Sequence, residues 1–269
     1  MTKLRCDSAK GRILAPQRPN AGVEAAYRKA LTVLVEEMAA SVDYWVKANY
    51  RKIEPQVAQD ASPASVLQGI MNKLTARWRT RFNEVAEELA RRFVKQAQGH
   101  ADRQLSLDLQ RNGFAIKFRP TLAMREQAAL SAAENVTLIK SIPEQYLKDV
   151  GQAVYSSALR GGDLGTLTAE LKERYGITHR RAAFIARDQN RKVGEAMTRT
   201  RQMGLGITEA IWQHSHGGKH PRESHVKAGR DKLRYRLDKG AYIDGHWIFP
   251  GSEPNCRCVS KPIIPGFDD

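Results

Sequence analysis

Cysteine is scarce in this sequence, with Cys6, Cys256 and Cys258 the whole complement of a 269-residue chain. Three thiols cannot build a disulfide framework, and the spacing of the last two is too short for an easy bridge between them. Such usage fits synthesis in a reducing cytoplasm. Long apolar runs are also missing. No stretch approaches the roughly 18 uncharged apolar residues of a membrane-spanning helix, so no membrane partner is expected. The first residues carry Lys3, Arg5, Lys10 and Arg12 but no apolar core, which argues against a secretory signal. There is no Walker A loop. Gly204-Leu205-Gly206 neither follows a strand nor opens a helix, so it is not a dinucleotide fingerprint. Neither an internal repeat nor a low-complexity block appears.

What the chain has in excess is positive charge. Lys and Arg number 44 against 29 Asp and Glu, a net of +15. The surplus is dispersed: 18 basic against 12 acidic residues over 1–110, 9 against 7 over 111–175, and 17 against 10 over 176–269. A basic protein with no basic tail favours an anionic partner contacted without sequence reading, DNA among them.

Helical periodicity dominates the first two-thirds. Residues 1–20 read as an arm that orders on contact. Tyr27, Leu31, Leu34, Met38, Val42 and Trp45 then recur at steps of three and four. After a break at Pro55 and from Asp60 to Pro63, a second stripe runs through Leu67, Met71, Leu74, Trp78, Phe82, Val85, Leu89 and Phe93. Two such helices suggest an αα-hairpin within a region spanning 21–110. Phe114 to Arg119 alternates and reads as one short strand. The connecting region 111–175 reads as helical, broken at Ser141-Ile142-Pro143 and at Gly161-Gly162. Asp163 is placed to cap the next helix and Gly176 to end it.

From about 176 to 269 the sequence predicts a smaller α+β module, giving an α+β fold overall. Its first helix, Thr178 to Met203, has an apolar side and an opposite arc with Arg180, Arg181, Arg187, Arg191, Lys192, Arg199 and Arg201. Arg180, Arg187, Arg191, Lys192 and Arg199 are the candidates for nucleic-acid contact. Ile207 to His214 reads as a strand carrying Trp212, and short β runs surround Gly240 and Gly245. Metal-capable side chains crowd the end: His214, His216, His220, His225, Cys256 and Cys258. Nitrogen and sulfur ligands suit zinc. The best set is His225, Cys256 and Cys258 with one of the other three histidines. The alternative is a loop stitched by hydrogen bonds, with Cys256 packed as a small hydrophobe. Otherwise no cofactor is called for. An Arg222/His225 cleft would fit a nuclease, and Ser224, His225 and Asp231 could be drawn as a triad.

Several fragments in order carry a resemblance. They are Leu-Ile-Lys-Ser-Ile-Pro (138–143), Gly161-Gly162, Arg-Ala-Ala-Phe-Ile-Ala-Arg-Asp-Gln (181–189) and Gly206 to Trp212. Arg222-x-x-His225 with Gly229, and Pro250-Gly251-Ser252-Glu253-Pro254-Asn255-Cys256-Arg257-Cys258, complete the series. Together, over about 139–262, they resemble the phage Mu F-like minor head proteins. Where that family often has Ala-Arg-Thr-Glu, this chain has Ala186, Arg187, Asp188 and Gln189. Residues 1–110 carry no signature. The resemblance implies structural roles for Arg187, Trp212, Arg222, His225, Pro250, Gly251, Asn255, Cys256, Arg257 and Cys258. It also implies a non-enzymatic minor capsid protein of the virion that associates with portal and major capsid proteins, is made in the host cytoplasm and accompanies the DNA.

Overall fold

The computed structural model describes residues 11–50, 63–160, 163–217 and 220–265. Cys6, the breaks at Pro55 and Asp60, and Gly161-Gly162 lie outside these. In chain order the elements are β1 (Gly11–Ile13), α1 (Ala21–Tyr50), α2 (Pro63–Arg111), α3 (Leu122–Leu159), α4 (Leu164–Gly204), β2 (Glu209–Gln213), α5 (Glu223–Arg230), β3 (Arg234–Arg236), β4 (Ala241–Ile243), β5 (His246–Ile248) and β6 (Val259–Pro265). The fold is α+β, with the strands concentrated after α4. Two compact units emerge, each assembled from separated stretches of chain.

One unit, Ala25–Arg91 with Ala133–Arg187, is helical. Its buried apolar positions follow the stripes: Leu31, Met38 and Val42 on α1, Leu74, Trp78 and Phe82 on α2, Ile139 and Tyr146 on α3, Leu171 and Ile185 on α4. Directed bonds fix the register between helices. The Tyr27 hydroxyl donates to Asn135 Oδ1 at 3.0 Å, and Arg181 Nη2 donates to Ser141 Oγ at 2.9 Å. The stripes are corrected at three places. Trp45 is exposed and Val46 is buried instead. Val85 and Leu89 are half-buried, while Ala86 and Ala90 face fully inward.

Two expected helix ends do not exist. α3 runs straight through Pro143. An interior proline costs about 3 kcal/mol, but Ile139, Ile142 and Tyr146 are buried on either side of it and outweigh that cost. α4 likewise continues through Gly176, so Thr178 is no cap. Its hydroxyl donates back to the Arg174 carbonyl at 2.9 Å. Asp163 does cap α4, accepting from the backbone N–H groups of Gly165 at 3.1 Å and Thr166 at 2.6 Å.

The other unit gathers the described parts of Met1–Glu24, Arg92–Ala132 and Asp188–Asp269. A four-stranded antiparallel sheet, ordered β1-β6-β2-β3, faces a core of Leu105, Leu109, Leu205, Ile207, Trp212, Tyr235, Leu237 and Ile264. β4 and β5 form a separate hairpin. The N-terminal arm is held by sheet pairing and by Asp108, whose Oδ2 accepts from Ala15 N–H at 3.0 Å and Gln17 Nε2 at 3.2 Å. Phe114 to Arg119 is not a strand. Its alternation is real, because Phe114, Ile116 and Phe118 pack on the core, but no neighbouring strand pairs with it.

Arg201, expected on a solvent-facing arc, is only 2% exposed. It donates to both oxygens of Asp102 at 2.8 Å and to the Arg119 carbonyl at 2.8 Å, and lies over the Phe118 ring. A buried guanidinium persists because its donors are matched.

Candidate functional site

The sequence brings three distant side chains to one point by simple means. β2 carries Trp212 into the core, and α5 docks beside the end of that strand. Gly229 permits this approach: a Cβ there would sit 2.5 Å from His214 Cβ and 2.7 Å from its backbone nitrogen. His225, one turn earlier on α5, therefore lies edge-on to Trp212 with ring centroids 5.1 Å apart. Pairing of β6 with β2 sets Ser260 opposite Trp212, so the chain just before β6 delivers Cys256 and Cys258 beneath the same imidazole.

The cluster is compact and buried. His225 is 2% exposed, Cys256 4% and Cys258 5%. His225 Nδ1 lies 3.5 Å from Cys256 Sγ and 3.8 Å from Cys258 Sγ. Both thiols are free of disulfide bonding. One atom from each residue falls within a 4.8 Å span. On its other side, His225 Nε2 is 3.1 Å from Glu253 Oε2, close enough for an ion pair but off the line of a good hydrogen bond. The two thiols are placed to hydrogen-bond one another. Their mutual hydrogen bond, helped by His225 and the backbone N–H groups of Cys258 and Gly251, pulls Cys256 down to about 4 against the opposing effect of burial. The same pairing, with burial added, pushes Cys258 up.

The Pro250–Cys258 run is a tight loop that supplies most of this geometry. Gly251 has φ +84° and, like Asn255 at φ +60°, occupies the left-handed region, which glycine and asparagine tolerate best. The Gly251 N–H donates to Cys256 Sγ at 3.3 Å, and the Cys256 N–H to the Glu253 carbonyl at 3.0 Å. Pro250 is buried, whereas Asn255 and Arg257 point outward. Arg222 reaches the loop too, donating to the Pro254 carbonyl at 3.2 Å.

Glu253 is the residue that sequence reasoning passed over. Its carboxylate stands 3.7 Å from Arg222, 3.1 Å from His225 and 3.0 Å from His246. The bond to Glu253 and a second to the Asp244 carbonyl hold the His246 imidazole above its ordinary range. The only signal was its position inside the Pro250–Cys258 run.

A depression of about 240 Å³ opens beside the cluster, lined by His214, His220, Arg222 and Arg257 as well as His225 and both cysteines. Arg222 and His225 thus converge at a cleft, as a nuclease would require. Both nitrogens of His225 nevertheless face other groups, the sulfurs on one side and Glu253 on the other. The triad drawing fails: Ser224 Oγ donates to Asp244 at 2.6 Å and Asp231 pairs with Arg230. His214 Nδ1 accepts from the His216 backbone N–H at 3.2 Å, and burial first, then His216, pulls His214 below its ordinary range.

The candidates for nucleic-acid contact do not form one free arc. Arg180 is exposed, whereas Arg187 and Arg191 are half-buried and have partners. Lys192 pairs with Asp188 at 2.9 Å. Arg199 pairs with Glu195 at 3.0 Å and lies 4.0 Å over the Phe249 ring. Nearer the cluster, Arg222, Arg230, Arg234 and Arg236 keep between 42 and 73% of their side chains in solvent, though each has an acidic neighbour.

Comparison with known proteins adds a partial match. Residues 148–261 match the sequence profile described as Phage Mu protein F like protein. That span runs from within α3 to β6 and includes the whole cluster. An uncharacterized protein of Haemophilus influenzae is 30% identical over 266 residues, which is 97% of this chain. The chain spans 58% of the length of that relative. No solved structure matches.

Proposed function

We propose that this chain is a head-morphogenesis protein of a tailed phage, on the match of residues 148–261 to the Phage Mu protein F like profile. In this reading it is a minor component of the virion, recruited to the head through portal and major capsid proteins, and its work is structural. The carrying observation is that the matched span contains the whole His225, Cys256 and Cys258 cluster and the loops tied down around it. The motif residues hold loops together: Trp212 and His225 meet edge-on, Arg222 and Glu253 pin the Pro250–Cys258 loop, and Gly251 and Asn255 turn it. Residues used in this way serve a rigid platform. No helix among the described residues is long and apolar enough to cross a membrane.

DNA is proposed as a secondary, non-specific contact. Its support is the net charge of +15 and the exposed arginines of α5 and β3. The depression beside the cluster favours a second reading, a nuclease-like activity. Incubating the purified chain with labelled DNA and RNA, with and without chelator, separates the two, since a platform leaves both intact.

Deletion of the gene from a phage that carries it tests the main reading. The expected result is a loss of infectious particles, with tails normal and heads aberrant or unfilled in micrographs, restored by supplying the chain in trans. Normal yields of filled heads from the deletion would overturn it.

A further inference from the structure

We propose that His225, Cys256 and Cys258 form a binding site for one zinc-like divalent cation, with Glu253 as the carboxylate that orients the histidine ligand.

The argument starts from donor chemistry. Two thiols and an imidazole are the ligand types that select zinc among the common divalent ions. They come from two separated elements, α5 and the loop before β6, so an ion would join parts of the fold that the chain does not link locally. The spacing fits. With metal–sulfur bonds of about 2.3 Å and metal–nitrogen bonds of about 2.0 Å, a tetrahedral ion sets sulfur–nitrogen edges of roughly 3.5 Å. The two edges here are 3.5 and 3.8 Å. A pair of ordinary core cysteines would not need both sulfurs turned to the same ring nitrogen.

The surroundings are those of a ligand set. Metal-bound histidines commonly direct their second nitrogen at a carboxylate, which fixes the ring and raises its basicity. Glu253 stands there, 3.1 Å from His225 Nε2. Thiolates bound to a cation are supported by nearby N–H donors. The Gly251 N–H meets Cys256 Sγ at 3.3 Å. The indole N–H of Trp212, 1% exposed and without a well-aligned acceptor, lies beside Cys258 Sγ. The fourth position has the depression to draw on, where His214, His220 and solvent are at hand. Hydrogen bonding between thiols and imidazole would account for the proximity alone. A bound cation accounts in addition for a carboxylate 3.1 Å from the second ring nitrogen and for the buried indole N–H beside Cys258.

The test uses the full chain, purified without added metal and analysed for bound elements. About one equivalent of zinc is expected in the wild type and less than about 0.1 in Cys256→Ser and His225→Asn, because each removes one ligand of four. Cys6→Ser keeps the metal. Either ligand variant could simply fail to fold, so the wild-type chain is also stripped with chelator and titrated with cobalt(II). The expected spectrum shows a thiolate-to-cobalt charge-transfer band and the intense visible bands of a tetrahedral ion. Glu253→Gln should retain these bands while weakening zinc affinity by about 10–100-fold, as outer carboxylates do. Absence of metal together with absence of the cobalt bands overturns the proposal, as does a metal content that His225→Asn leaves unchanged in folded protein. These readouts do not depend on the head-assembly reading, so either can fail without the other.

Discussion

Glu195 is a carboxylate whose surroundings work against its charge. Its side chain is 12% exposed, and burial pushes its carboxyl from 4.5 up to about 7, with the charge and hydrogen bond of Arg199 pulling the other way. A raised carboxyl holds its proton longer in the folded state than in the unfolded one. Between about 4.5 and 7 the native chain therefore binds more protons, and its stability falls as pH rises through that window. Glu195→Gln should flatten this dependence, so the stability difference between variant and wild type shifts in favour of the variant from pH 4.5 to 7. Chemical denaturation at both pH values measures it, and a difference that stays constant contradicts the account. Residue-level chemistry of this kind was partly legible. His225, Cys256 and Cys258 could be singled out because histidine and cysteine are rare and metal-capable. Glu253 and Glu195 could not, because one more acidic residue in a charged sequence carries no signal until its neighbours are known. Arg201 misled for the same reason: helical spacing places it among other basic residues, and only the tertiary partner Asp102 explains its burial.

The junction of α5 with β2 is the element on which the site depends. Gly229 lets the helix rest on the His214 backbone. Gly229→Ala should force the two apart and cost about 1–3 kcal/mol, as overpacking does in a well-filled site. The urea midpoint should drop accordingly, and an unchanged midpoint would show that the contact relaxes freely. Helices were the most readable elements here, since the buried faces of α1 and α2 repeat at three and four over many turns. Their ends were less so. Pro143 and Gly176 are strong local breakers, but buried neighbours on both sides carry the helices through, and burial of that kind is not written in the local sequence. Among the strands, β2 and the short runs around Gly240 and Gly245 were legible, whereas β1 and β6 were not. β6 holds Pro262 opposite Ala210 in the interior of the sheet, a position where proline is disfavoured. Its partner β1 is three residues long with no alternation to read. Both exist because pairing and the core around Leu14 and Ile264 support them.

At the scale of the molecule, dispersed positive charge sets the expected mode of any DNA contact. With several phosphates neutralised and no base-reading element, affinity should fall by about 10³-fold or more between about 50 and 200 mM salt, equally for unrelated sequences. Filter binding on two DNA fragments of equal length shows whether it does, and tight binding to one of them at high salt would contradict it. The order of the signature fragments made the phage Mu F-like resemblance readable from about residue 139, and a profile match over 148–261 agrees with it, whereas residues 1–110 gave helices but no role. We propose that this chain is a structural component of phage heads. Quantitative mass spectrometry of gradient-purified particles from a phage that encodes it tests this most directly. The account predicts the chain in intact particles at a few copies per head, retained after tails are removed. Particles that are complete and infectious without any trace of it would contradict the account.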